Sequence, residues 1–186
     1  MGRWEPDARG RLATAALALY AEQGFEGTTA AEIARAAGLS ESSYFRHFAD
    51  KREVLFAAFD SAGELLTTSI ADSQAGASPW DVTITAIDAL CTFVQNEPEI
   101  GRQRIEVIAA NPSLRERDLS KHAELATLIA RALGARGVPL LTAEVVAETA
   151  MAAYQVAVAA WAAGGPALQL PALFRSTIEE LRRAIP

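Results

Sequence analysis

Apolar residues recur every three or four positions along nearly the whole chain, and no stretch alternates strictly between apolar and polar as a half-buried strand would. A first helix is expected from about residue 7 to 23, with Leu12, Ala16, Leu19 and Tyr20 on one face and Gly24 ending it. The hydroxyls of Thr28 and Thr29 suit the start of a short helix carrying Ile33 and Ala34, which stops at Ala37-Gly38-Leu39. Ser40 then caps a second short helix, and Asp50-Lys51-Arg52-Glu53 reads as a capping box. That box is expected to open one long helix with Val54, Leu55, Ala58, Phe59 and Leu65 on its apolar face.

Residues 71–79 are small, polar and Gly/Pro-bearing, and read as a loop. Beyond them Ser78-Pro79 caps a helix to about Asn96, and another helix begins at Pro98 and is interrupted at Asn111-Pro112. A further helix runs from near Ser113 to Leu133. Thr142 is expected to cap a long Ala-rich helix, and Pro171 sits in the first turn of the last one. The expectation is an all-α chain of about nine helices. Its domain change falls near Phe59, giving residues 1–59 and 60–186.

Composition supports this and narrows the chemistry. Forty of the 186 residues are alanine, the strongest helix former, which favours helices over sheet. One cysteine, Cys91, permits no disulfide within the chain, and with two histidines a Cys/His zinc cage is not expected. No cofactor is expected. Cys91 lies on an apolar face near Phe93 and reads as a small buried hydrophobe. Net charge is −6, so any polyanion must be held by a local surface and not by the overall field.

Residues 149–174 carry no charge, but Gly164-Gly165-Pro166 cuts them, so they read as a buried or interface helix and not as a membrane span. Arg3, Glu5, Asp7, Arg9 and Arg11 argue against an apolar leader, and the cytoplasm is the expected compartment.

Two short helices joined by Ala37-Gly38-Leu39, after a longer one, have the form of a helix-turn-helix. The ordered set of residues 17–20, Gly24-Phe25, Thr28-Thr29, Ile33-Ala34, Ala37-Gly38-Leu39-Ser40 and Tyr44-Phe45-Arg46-His47-Phe48 with Lys51 resembles the amino-terminal domain of TetR-family regulators. The resemblance covers residues 9–59. It implies a homodimer whose recognition helices enter successive major grooves of a palindromic double-stranded DNA operator. Carried over by position, Glu41 and Ser42 face bases with Ser43 beside them, and Phe45, His47 and Lys51 fall at phosphate positions. Thr28 and Thr29 open the preceding helix against the DNA backbone, and Ser40 and Arg46 complete the DNA-binding set. Glu41 could accept from cytosine N4. Tyr44-Phe45 departs from the family's usual aliphatic-then-tyrosine pair, and Phe45 lacks a hydroxyl to offer a phosphate. Residues 1–60 hold seven basic against nine acidic side chains, so this segment is not basic overall.

The remaining residues hold more apolar positions than support of a small DNA reader needs. Phe59, Phe93, Met151, Tyr154 and Gln155 are candidates to line a pocket for a small apolar or aromatic effector. Ala152, Ala153, Ala157, Ala159 and Ala160, with Leu173, Phe174, Ile178 and Leu181, point to a homodimer through the last two helices. The expected function is a ligand-responsive DNA-binding repressor. A small helical enzyme and a helical dimerisation adaptor are the alternatives. Against the enzyme stands the lack of a Gly-x-Ser-x-Gly elbow, a phosphate-cradling Gly loop or a paired-His motif.

Overall fold

In the computed structural model, which describes residues 7–184, every regular element is helical. In chain order these are α1 (Ala8–Gln23), α2 (Ala30–Ala36), α3 (Glu41–His47), a 3-10 turn (Glu53–Phe56), α4 (Phe59–Ala71) and α5 (Pro79–Gln95). They continue with α6 (Pro98–Ala110), α7 (Pro112–Ala135), α8 (Leu140–Ala163) and α9 (Leu170–Ala184). Arg3 and Glu5, part of the amino-terminal charge noted above, lie outside the described residues.

The chain divides into two compact units. One takes the described residues up to Phe59 together with Glu99–Arg117, and the other takes Asp60–Pro98 with the described residues from Asp118 onward. In the first, Leu12, Ala16 and Tyr20 of α1 meet Ile33 and Ala34 of α2, Tyr44 of α3, and Val54 and Phe56 of the 3-10 turn. Val107, Ile108 and Leu114 join the same core from residues distant in sequence. Arg104 secures that junction by donating from Nε to the Leu55 carbonyl at 2.8 Å, with its guanidinium 5.4 Å from the Phe56 ring centre and 5.6 Å from that of Phe59. Arg117 Nε donates to Glu53 Oε1 at 2.6 Å.

In the second unit α5, α8 and α9 pack on one another. Trp161, Phe174, Ile87 and Met151 are almost wholly removed from water there. Side chains secure the helix ends. Gln95 Oε1 accepts from the Leu170 amide at 2.8 Å and Trp161 Nε1 donates to the Leu168 carbonyl at 3.1 Å, while Arg175, within α9, grips both oxygens of Asp88 in the middle of α5. Arg136 donates to the carbonyls of Ile70, Ala71, Ser73 and Gln74, tying the end of α7 to the end of α4 and the loop that follows it. Gly63 lets α7 come close, since a Cβ there would stand 3.0 Å from Leu128 Cδ1.

Two local expectations are corrected. The helix expected from Asp50 is not continuous: a 3-10 turn at Glu53–Phe56 precedes α4. Asp50 nonetheless caps that turn, accepting from the Arg52 amide at 2.7 Å and the Glu53 amide at 3.2 Å. Thr142 does not cap α8, which begins two residues earlier behind Pro139, a residue with no side-chain cap to offer. Because α8 runs unbroken for 24 residues, its length and apolar composition would suffice to cross a bilayer, as would those of Glu53–Ala71. The uncharged part of α8 is only 149–163, because Glu144 and Glu148 lie in its first turns. In the fold α8 buries Ala143, Ala147, Ala150, Tyr154 and Ala157 along one side, as the core helix of a packed bundle does.

Candidate nucleic-acid interface

The α2–α3 pair is built from local rules. Thr29 caps α2 by accepting from the Glu32 amide, while the Glu32 carboxylate accepts from the Thr29 amide at 2.8 Å. The Thr29 hydroxyl also donates to that carboxylate, and these bonds hold the Glu32 carboxyl below its usual range. At the far end Gly38 adopts φ +70°, the left-handed conformation that lets the Leu39 amide reach back to the Ala34 carbonyl at 2.8 Å. Arg11 of α1 donates to the Ala37 carbonyl and pins the same turn. Ser40 then caps α3 through the Ser43 amide.

Along α3 the buried and exposed positions separate cleanly. Tyr44 is fully enclosed and its hydroxyl donates to the Asp50 carbonyl at 3.0 Å; burial pushes the phenol upward, so it stays a donor. Phe48 closes the core behind it. Glu41, Ser42, Phe45, Arg46 and His47 are exposed, with Phe45 at 53%. Ser43 is buried, and its hydroxyl accepts from Arg46 at 2.7 Å, orienting that guanidinium along the helix.

Of the residues expected at DNA, then, Thr29, Ser40, Glu41, Ser42, Phe45, Arg46 and His47 stand at the surface. Thr28 does not. It is 1% exposed, and its hydroxyl donates to the Gly24 carbonyl and accepts from Gln23. Lys51 is also engaged inside the fold. Its ammonium donates to the carbonyls of Phe25, Glu26 and Thr28 and lies over the Phe25 ring. The Tyr20 hydroxyl grips the Lys51 carbonyl at 2.5 Å. Lys51 therefore staples the α1–α2 connection, a role its sequence neighbours give no sign of. Arg11 escaped the sequence reading for the same reason, since its acceptor lies 26 positions downstream.

The candidate effector residues are placed as follows. Met151 and Tyr154 are buried in α8, Gln155 is half-buried, and Phe93 of α5 is exposed. Phe59 belongs to the first unit, edge-on to Phe56 at 5.5 Å. Near Tyr154, the His122 ring meets it edge-on at 6.0 Å, and His122 Nδ1 lies 3.4 Å from Asp118. A separate cleft of about 480 Å³ lies between α4 and α7, lined by Thr67, Ala71, Leu128, Arg131, Ala132, Ala135 and Arg136. Cys91 is buried, and desolvation, with the Asp88 charge adding to it, pushes its thiol up to about 12, so it carries no thiolate chemistry near neutrality.

The residues expected at a dimer face divide between the core and the surface. Ala153, Ala157, Phe174 and Ile178 are buried in the chain's own core. The exposed residues of α8 include Leu141, Val145, Ala152, Val156, Ala159 and Ala160, with the charged Glu144 and Glu148 among them.

Residues 12–58 match the family model described as bacterial regulatory proteins, tetR family, and residues 77–186 match that of the MftR C-terminal domain. The chain belongs to the TetR family. The HTH-type transcriptional regulator CymR of Pseudomonas putida is 31% identical over 112 residues, 59% of this chain and 55% of CymR. TcmR of Streptomyces glaucescens is 27% identical over 134 residues, 69% of this chain and 59% of TcmR. The matched region thus spans less than two thirds of either relative. Thermus thermophilus FadR, a TetR-family repressor solved with lauroyl-CoA, has the same fold, with a TM-score of 0.59 at 24% identity over 96% of this chain and 95% of FadR. TetR-family relatives are transcriptional regulators, which sets the helical-enzyme alternative aside.

Proposed function

We propose that this protein is a ligand-responsive transcriptional repressor that binds a palindromic operator as a homodimer and leaves it when a small apolar or aromatic effector binds. The observation that carries the reading is α3. A short helix, fixed by the Gly38 turn and the buried Tyr44, presents Glu41, Ser42, Phe45, Arg46 and His47 outward in the position of a recognition helix. Ser42 has the short side chain that lets a helix come close to base edges. Residues 1–59 form the DNA-binding domain in this reading, and residues 60–186 form the sensor and dimerisation domain.

The dimer is proposed through α8 and α9. Leu141 and Val145 are 73% and 57% exposed, and Val156 is 60% exposed, with Ala152, Ala159 and Ala160 between and beyond them. An exposed strip that is mostly apolar, with Glu148 between Val145 and Ala152, is what a second copy would cover. The half-sites of such an operator would lie about one turn of B-DNA apart, roughly 34–36 Å. The effector site is proposed in the sensor domain, with Met151, Tyr154 and Gln155 on α8, Phe93 on α5, and Phe59 at the start of α4 as candidates. The protein is placed in the cytoplasm with its DNA and away from the membrane.

The decisive experiment is a mobility shift on the DNA upstream of the gene, repeated across salt concentrations. Specific binding should persist against excess unrelated DNA and weaken steeply as salt rises, since phosphate contacts release counterions. No specific shift at low salt would overturn the reading. A thermal-shift screen of small apolar and aromatic compounds, with lauroyl-CoA among them because FadR holds it, would then find the effector, because a ligand of the native state raises apparent stability.

A further inference from the structure

Phe45 is the one large hydrophobe that α3 leaves in water. It is 53% exposed, while the other aromatic residues of the segment, Tyr44 and Phe48, are buried beneath it. The core has no need of it. Its ring is nonetheless braced, edge-on to Tyr44 with centres 5.4 Å apart and planes at 82°. Tyr44 is in turn immobilised by full burial and by its bond to the Asp50 carbonyl. The result is a rigid apolar group on the outward face, with Ser42 and Glu41 three and four positions earlier sharing that side of the helix.

A phenyl ring offers neither donor nor acceptor, so it cannot bind a phosphate by hydrogen bonding. In the major groove the apolar feature that distinguishes one base pair from another is the C5-methyl of thymine. Ser42 is short enough to let the ring descend toward it. We propose that Phe45 is a specificity-determining residue that reads a thymine C5-methyl in each half of the operator. The inference rests on the DNA-binding reading above and adds to it a stated base and a stated atom. A contact between the ring and deoxyribose would be the competing use, and it would be indifferent to base identity.

The test deletes the methyl and nothing else. In the shortest upstream DNA fragment that the protein shifts, each thymine is replaced in turn by deoxyuridine, which keeps its Watson–Crick pairing. One thymine per half-site should be sensitive, with wild-type affinity falling about three- to fivefold on its replacement, the worth of one apolar carbon removed from water. Phe45→Ala should bind the thymine fragment more weakly and show no further loss on the deoxyuridine fragment, the signature of a direct contact in a double-mutant cycle. Circular dichroism would establish that the variant keeps its helices, and a flat deoxyuridine scan on the unmodified protein overturns the proposal even if it does not. Binding by the wild type with every thymine replaceable at no cost would overturn the proposal and leave the regulator reading standing. Failure of the wild type to shift any DNA would overturn both.

Discussion

The Lys51 ammonium lies 4.3 Å from the centre of the Phe25 ring and donates to the carbonyl of the same residue at 2.9 Å. Glu26 and Thr28 supply further carbonyls to it, so this one side chain gathers the connection that positions the first turn of α2. Lys51→Ala should therefore lower the melting temperature of the DNA-free protein as well as its affinity for DNA. The loss should be about 1 kcal/mol, because charge-assisted bonds are strong but this side chain is partly in water. A variant that melts like the wild type yet binds DNA poorly would instead reserve the ammonium for phosphate.

Asp50 makes the same region sensitive to acid. Burial alone would raise its carboxyl, but bonds from the Arg52 side chain and from the Arg52 and Glu53 amides outweigh that and hold it below its ordinary value of 3.8. The folded form thus gives up the proton more readily than the unfolded chain. Its stabilisation is complete above the ordinary value and disappears as pH falls below it. Asp50→Asn should melt earlier at neutral pH, and the gap from wild type should close as pH falls through the carboxylate range. Two melting curves that run parallel across that range would remove Asp50 as the titrating group.

These two residues also mark where the sequence is legible and where it is not. The α2 capping box, the Gly38 turn and the buried Tyr44 depend on partners within a few positions, and spacing reveals them. The 3-10 turn at Glu53–Phe56 was hidden because periods of 3.0 and 3.6 residues place Val54, Leu55 and Phe59 on compatible faces over so short a stretch. What holds it comes from far away, through Arg104 on the Leu55 carbonyl and Arg117 on Glu53. Lys51 near a helix start reads locally as a cation open to phosphate, and its carbonyl partners 23 to 26 positions upstream leave no periodic trace. In α8 the small residues were visible, but alanines at helical spacing serve a chain's own core as well as a second chain. Only the packing shows that Ala153 and Ala157 face inward while Ala152 and Val156 face out.

That division decides how the dimer should be tested. Substituting Ala157, fully buried, would damage the monomer and prove nothing about association. Val156→Glu adds a carboxylate at a position 60% exposed in the single chain, so the fold should tolerate it while a covering partner should not. Burying that charge unpaired would cost several kcal/mol. Sedimentation should show a monomer of unchanged helix content, and operator affinity should fall with it. A variant that remains dimeric at micromolar concentration would move the interface off this face.

The coupling between effector and DNA can be tested without knowing where the effector lies. Residues of α4 belong to both units: Phe59, beside Phe56 and Arg104, to the first, and Asp60 onward to the second. A compound that shifts this helix by binding the second unit would have a covalent route to the first unit's core at Phe56 and Phe59. Linkage then makes a symmetric demand. If the compound weakens operator binding tenfold, operator must weaken compound binding tenfold, about 1.4 kcal/mol of coupling. A compound that raises the melting temperature in the screen should be titrated by calorimetry into free protein and into the protein–operator complex. The expected result is weaker binding to the complex by the same factor found in the mobility shift. Arg104→Ala, which frees Phe56 and Phe59 from the guanidinium and Leu55 from its donor, should shrink that factor while leaving compound affinity for the free protein nearly unchanged. Equal compound affinity in the two titrations would reject the sensor mechanism even for a protein that binds DNA.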